Sequence, residues 1–184
     1  MAIIREAFDK MLKLEFNSPK NALHWNKGET GWTYMGIYET AHPDWSGWRI
    51  IKNTVTAHDD IEKASAELYN SPQLRSLVEM FYEEKFWKPM KLDQVTSQKV
   101  AEEMFVMGVN AGTKVAIRLA QRVVGAKDDG VIGPMTIAAL NKCDEKMFDK
   151  EYDAMEIAHY NMLAEKNPNF KKFLKGWHNR AVAV

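Results

Sequence analysis

The sequence is short of the features that usually announce a protein's class. Its 184 residues hold a single cysteine, Cys143, so no disulfide can form within the chain and packing alone must hold the fold. That suits synthesis in a reducing compartment. Charge of one sign is missing as well: 25 Lys and Arg balance 25 Asp and Glu. A neutral chain has no general attraction for nucleic acid or an anionic membrane surface. No apolar run approaches the ~18 residues that suggest a membrane span. The opening Met1-Ala2-Ile3-Ile4-Arg5-Glu6 also lacks a basic stretch followed by a long apolar one. The expectation is a chain made in the cytoplasm without a signal peptide, with no nucleic acid and no membrane among its partners.

Signatures of metal and phosphate chemistry are absent too. His24, His42, His58, His159 and His178 never form His-x-x-x-His and never pair with Cys143 at a ligand spacing. No Gly-x-Ser-x-Gly elbow and no phosphate-cradling glycine loop occurs. No metal site is expected.

What remains is an ordinary folding composition, 46% hydrophobic and 27% charged, which excludes disorder. Turn signals separate stretches of helical period, and strand-like alternation never persists. Ile4, Phe8, Met11 and Leu12 predict a helix over 3–16. Asp44 and Asp59 are candidate caps for the next two helices, and Ser71-Pro72 opens one to about Trp87. Ser97 caps a run to about Ala111, and a further helix over 113–125 stops at Gly125. Gly133-Pro134 opens a short helix, Asp144 a long one, and Pro168 the last. The fold class is therefore all-α, with room for a short β-hairpin in the irregular stretch 17–36. The 11 methionines fall mostly at core spacing and read as packing.

Three segments could carry chemistry. At about 100° per residue, Glu15 falls about 20° from the reference position of the apolar stripe set by Phe8, at the end of the first helix. A carboxyl group placed there is either partly desolvated, and so kept protonated as a general acid, or simply turned to solvent. The loop from Lys27 to Ile37 carries three glycines beside Trp32 and Tyr34, with Trp25 nearby; these rings either stack on sugars or close the core. Asp128-Asp129-Gly130-Val131-Ile132-Gly133-Pro134-Met135-Thr136 is, taken by itself, turn chemistry.

In order and spacing these segments resemble glycoside hydrolase family 108, which includes phage endolysins and N-acetylmuramidase-type lysozymes. The resemblance runs through Leu14-Glu15-Phe16-Asn17, Thr30-Gly31-Trp32-Thr33-Tyr34-Met35-Gly36-Ile37, Tyr82-Glu83-Glu84-Lys85-Phe86-Trp87 and Asn110-Ala111-Gly112. It continues through Ala116 to Gln121, Asp129 to Thr136, and Phe173-Leu174-Lys175-Gly176-Trp177-His178-Asn179-Arg180. The chain departs from the family where Phe16, Asn17 and Ser18 replace Gly-Gly-Tyr, where Thr30 replaces a glycine, and where Val106 replaces an aspartate.

The resemblance implies a lysozyme-like fold with a catalytic part over 1–110 and a helical part over 111–184, packed as one globular unit. The second part includes a peptidoglycan-binding-like segment at 125–141. It implies cleavage of the bond between N-acetylmuramic acid and N-acetylglucosamine, with Glu15 as acid. Glu29 is the candidate second carboxylate, and Thr33, Tyr34 and Asn110 are candidate substrate contacts. It also implies that no cofactor is needed. The expectation is a monomer acting on the glycan strands of the cell wall. With no export signal, release through holin lesions as a phage endolysin is the simplest route, and a prophage remnant or a bacterial wall-remodelling enzyme fits equally. A non-catalytic wall-binding module and a metal-dependent amidase are the competing functions.

Overall fold

The computed structural model describes residues 1–15, 18–26 and 28–184; Phe16, Asn17, Lys27 and the side chain of Glu15 lie outside the described residues. Helix α1 spans Ile4–Glu15 and is followed by three short strands, β1 Leu23–His24, β2 Thr33–Tyr34 and β3 Ile37–Tyr38. Then come α2 Gly47–Ala57, α3 Ile61–Tyr69, α4 Pro72–Tyr82, α5 Gln98–Ala111 and α6 Thr113–Val123. Helices α7 Pro134–Leu140, α8 Glu145–Lys166 and α9 Leu174–Ala181 complete the order. The mainly helical expectation holds, and the hairpin proves to be a three-stranded antiparallel sheet.

The chain divides into two compact units, Met11–Phe81 and Met1–Lys10 with Tyr82–Val184. In the first, the register sets Leu23 opposite Tyr34 and Tyr34 opposite Ile37, so these three form one cross-strand row. All three are buried, whereas the row His24, Thr33 and Tyr38 takes the other face, as the alternation of strand side chains requires. The β2–β3 turn has positive φ at both central residues, Met35 at +45° and Gly36 at +79°, the geometry that matches strand twist in a two-residue hairpin. Ser65 of α3 fastens the sheet: its Oγ donates to Pro19 O at 2.7 Å and accepts from Leu23 N at 3.0 Å.

In the second unit α5, α6, α8 and α9 pack together around Val100, Met104, Phe105, Ile117, Phe148, Tyr152 and Tyr160. Gly112, at φ +95°, supplies the single-residue break between α5 and α6. The Tyr152 hydroxyl donates to Ala116 O at 3.1 Å, joining α8 to α6. Among the described residues, no helix is long and apolar enough to cross a membrane.

Several starts differ from the sequence expectation, each for a local reason. Helix α2 begins at Gly47 rather than after Asp44, because the Trp45 ring folds back over the backbone; a Cβ on Gly47 would lie 2.3 Å from it. The cap of α3 is Asp60, whose side chain accepts from Glu62 N and Lys63 N, not its neighbour Asp59. Helix α4 stops at Tyr82 and runs into a π turn over Glu83–Trp87, closed by Lys88 N donating to Glu83 O at 2.9 Å. Pro168 opens a 3₁₀ turn over Pro168–Phe173 before α9 starts. Ser97 and Asp144 cap α5 and α8 as expected.

Candidate functional site

Glu29 stands beside the sheet, in the loop between β1 and β2. Its Oε1 accepts from Asn26 Nδ2 at 2.9 Å and its Oε2 from Thr33 Oγ1 at 3.1 Å. Its backbone is held as well, since its N–H donates to Asn26 O at 3.0 Å and its C=O accepts from Trp25 Nε1 at 3.0 Å. The result is a half-buried carboxylate with both oxygens fixed in direction. Next to it the Trp25 ring, 51% exposed, meets Trp32 edge-on at 5.2 Å. An exposed indole backed by a second ring is a rigid apolar face on which a sugar can stack.

The strip behind this loop is braced by Glu39. It accepts from Trp32 N at 3.1 Å and pairs with Lys52 at 2.6 Å. Burial pushes the Glu39 carboxyl up, but the Lys52 ammonium and the Trp32 N–H outweigh it and hold the group below the ordinary range. The Tyr38 hydroxyl accepts from Thr30 N at 3.2 Å, and Gly31 leaves room for Glu39, whose Cβ would lie 3.0 Å from an added Cβ.

The residues expected to form the site are therefore distributed unevenly. Glu29 and Thr33 are brought together directly. Tyr34, 1% exposed and stacked on Trp45 at 6.4 Å, belongs to the core beneath them, where burial raises its hydroxyl far above the ordinary range. It supports the sheet and offers no surface to a ligand, because strand alternation turns it away from Thr33. Asn110 lies in the other unit with both ends of its amide engaged: Nδ2 donates to Tyr160 Oη at 2.5 Å, and Oδ1 accepts from Arg180 at 2.6 Å. It ties α5 to α8 and α9. Glu15 is the last residue of α1, and its side chain lies outside the described residues.

The helical unit holds a set of acids that the sequence analysis passed over. Glu103 of α5, fully buried, and Asp149 and Asp153 of α8 bring carboxylate oxygens within 4.8 Å of one another, as metal ligands would. Lys99 supplies the positive charge there, 3.1 Å from Glu103 and 2.8 Å from Asp149. Burial pushes Glu103 up to about 8 against the pull of Lys99, and Asp153 up to about 6. Glu156, 4% exposed, is pushed up to about 9 by burial and by the neighbouring Glu103 and Asp153. The signal was present: Phe148, Tyr152, Glu156, Tyr160 and Ala164 follow at every fourth position, which sets Glu156 in the buried stripe of α8.

A groove of about 560 Å³ runs beside the Asp129-Gly130-Val131 turn and α7. Gln121, nearly fully buried, shapes its floor. Its Nε2 donates to Asp129 Oδ1 and to Val131 O, each at 3.0 Å, while its Oε1 accepts from Gly130 N at 2.9 Å. The turn closes on itself through Val131 N, which donates to Asp129 Oδ1 at 2.9 Å. That bond, with Gln121 and against some burial, holds the Asp129 carboxyl below its ordinary range.

Comparison with known proteins divides the chain elsewhere, at the junction of α5 and α6 inside the helical unit. Residues 22–112 match the family model described as glycosyl hydrolase 108, and residues 115–182 match one described as a predicted peptidoglycan domain. No curated protein matches the chain. Among solved structures it is similar to that of Brucella abortus SagA, with a TM-score of 0.58 and 20% identity over 98% of this chain and 94% of that one. At that identity the likeness concerns the fold.

Proposed function

We propose, from the premise that this chain belongs to the glycosyl hydrolase 108 family, that it hydrolyses the glycan strands of bacterial peptidoglycan. The bond cut is the one joining N-acetylmuramic acid to N-acetylglucosamine. Glu15 is the acid: it gives its proton to the glycosidic oxygen as the C1–O bond breaks, and C1 develops oxocarbenium character. Glu29 is the second carboxylate. It either attacks C1, giving a covalent glycosyl intermediate and retention, or activates the water that does, giving inversion.

The observation that carries this reading is the setting of Glu29 within the matched segment. Asn26 and Thr33 aim its two oxygens, and the exposed Trp25 face lies one turn away, where a sugar ring would pack. A carboxylate held by two donors loses little orientational freedom when substrate arrives, which is the structural condition for a low barrier. Thr33 acts through Glu29 and is a positioning residue, Tyr34 supports the sheet below both, and Asn110 acts at a distance by fixing three helices.

The test is the chemistry of the cut ends. Purified sacculi digested with the protein, reduced with borohydride and examined by mass spectrometry should yield fragments ending in reduced N-acetylmuramic acid. Fragments ending in reduced N-acetylglucosamine would refute the bond assignment. Release of free amino groups without reducing ends would refute glycan hydrolysis altogether.

A further inference from the structure

We propose that the groove beside α7 binds the stem peptide of peptidoglycan, so that the helical unit reads the peptide while the sheet unit handles the sugar. This rests on the wall-hydrolase reading above, and it assigns a ligand to residues that the catalytic chemistry leaves unused.

Three features of the groove favour a peptide over a glycan. First, none of its lining side chains is aromatic, so it has no flat face for a pyranose ring. Among the described residues the most exposed indole, that of Trp25, belongs to the other unit. Second, the lining is small and aliphatic: Gly125, Ala126, Gly133 and Ala139 leave room for methyl side chains, and Val131 and Met135 stand at the rim 66% and 83% exposed. Exposed aliphatic side chains beside a preformed groove are what an alanine-rich peptide would cover.

Third, the rim carries one charge of each sign. Lys127 Nζ lies 3.5 Å from Asp129 Oδ2, and the Lys127 side chain is 86% exposed. An exposed pair at that distance is weakly coupled and separates readily. A wall stem peptide carries free carboxylates and, on its diamino acid, a free ammonium. Lys127 can take one of the carboxylates and Asp129 the ammonium, exchanging one weak pair for two. Asp129 lines the groove, Gln121 and Val131 N engage its Oδ1, and among the described residues its Oδ2 pairs with the exposed Lys127.

The experiment uses the full chain carrying Glu15→Gln, so that turnover does not consume the probes. The probes are the tetrapeptide L-Ala-γ-D-Glu-meso-diaminopimelate-D-Ala and, separately, chitotetraose, which has sugars and no peptide. In amide-detected NMR the tetrapeptide should shift Gly125, Lys127, Gly130 and Val131, and chitotetraose should instead shift the indole N–H signals of Trp25 and Trp32. Lys127→Glu and Met135→Asp, both at exposed positions, should each weaken tetrapeptide binding about tenfold or more, leaving chitotetraose binding unchanged. In the otherwise wild-type chain they should also leave hydrolysis of peptide-free glycan unchanged.

A tetrapeptide that leaves the groove amides unmoved overturns the proposal, and so does chitotetraose shifting them. If the wild-type protein releases no reducing ends from sacculi while the tetrapeptide still binds the groove, the groove assignment stands and the hydrolase reading fails. If hydrolysis proceeds and the tetrapeptide does not bind, the reverse holds.

Discussion

Glu29 in the sheet unit and Glu156 in the helical unit are both carboxyl groups removed in part from water, yet they are built for different ends. Glu29 is half-buried, accepts one hydrogen bond on each oxygen, and borders an exposed indole. Glu156 is 4% exposed, sits in a stripe of Phe148, Tyr152 and Tyr160, and has Glu103 and Asp153 as charged neighbours. Burial perturbs the second strongly without giving any substrate a way to reach it. A raised pKa therefore marks desolvation. Oriented donors and an open approach mark a place where chemistry can happen.

Substitution should separate the two. Glu29→Gln keeps the size and much of the hydrogen bonding but removes the charge. It should lower kcat for reducing-end release from sacculi by about 10²–10⁴-fold, with little change in melting temperature. A rate within a few-fold of wild type would remove Glu29 from the mechanism.

Glu156→Gln and Glu103→Gln should do the opposite, leaving kcat near wild type and changing stability. The sign follows from linkage. With folded-state values of about 8 for Glu103 and about 9 for Glu156, the folded protein keeps protons that the unfolded chain releases in the ordinary carboxylate range. Stability is full below that range and is lost as pH rises through those values. At pH 9 either substitution should raise stability by about 1–3 kcal/mol, at roughly 2–4 °C of Tm per kcal/mol. Thermal melts from pH 5 to 9 that run parallel for wild type and variants would show that the cluster is not the cause.

Trp25→Ala gives the smallest effect and sharpens the sheet side of the comparison. Loss of one exposed stacking face should cost about 0.5–1.5 kcal/mol, read as a rise in KM of about 2–12-fold with kcat largely kept. A drop in kcat alone would show that the hydrogen bond from Trp25 Nε1 to Glu29 O, which positions the carboxylate, matters more than stacking.

Much of the helical framework was legible because helix ends carry local chemistry. Ser97, Asp144 and Pro134 each sit where a cap or a first-turn proline is useful, and the structure uses them so. The cap expected at Asp59 falls on Asp60, since the two side chains are identical and only backbone geometry decides which one caps. The sheet was half legible. Glycine at 36 signals a turn, but the second positive φ falls on Met35, whose side chain gives no hint of it.

The site was harder to see than the fold. Glu29 could be singled out as the nearest acid in the loop, but its grip by Asn26 and Thr33 spans an irregular turn with no period to detect. Tyr34 looked like a ligand face because aromatics in loops often are one; the register that turns it inward is a tertiary fact. Glu156 was missed for a different reason. The stripe argument applied to Glu15 in α1 works equally in α8, and there it marks a buried acid with no catalytic setting.

The most direct test compares the wild-type protein with Glu15→Gln on purified sacculi, counting reducing ends released per minute at one pH after circular dichroism has confirmed that both are folded. Proton donation by Glu15 predicts that the variant loses about 10²–10⁴-fold in rate while still sedimenting with the sacculi. A folded variant that releases reducing ends as fast as wild type would contradict it.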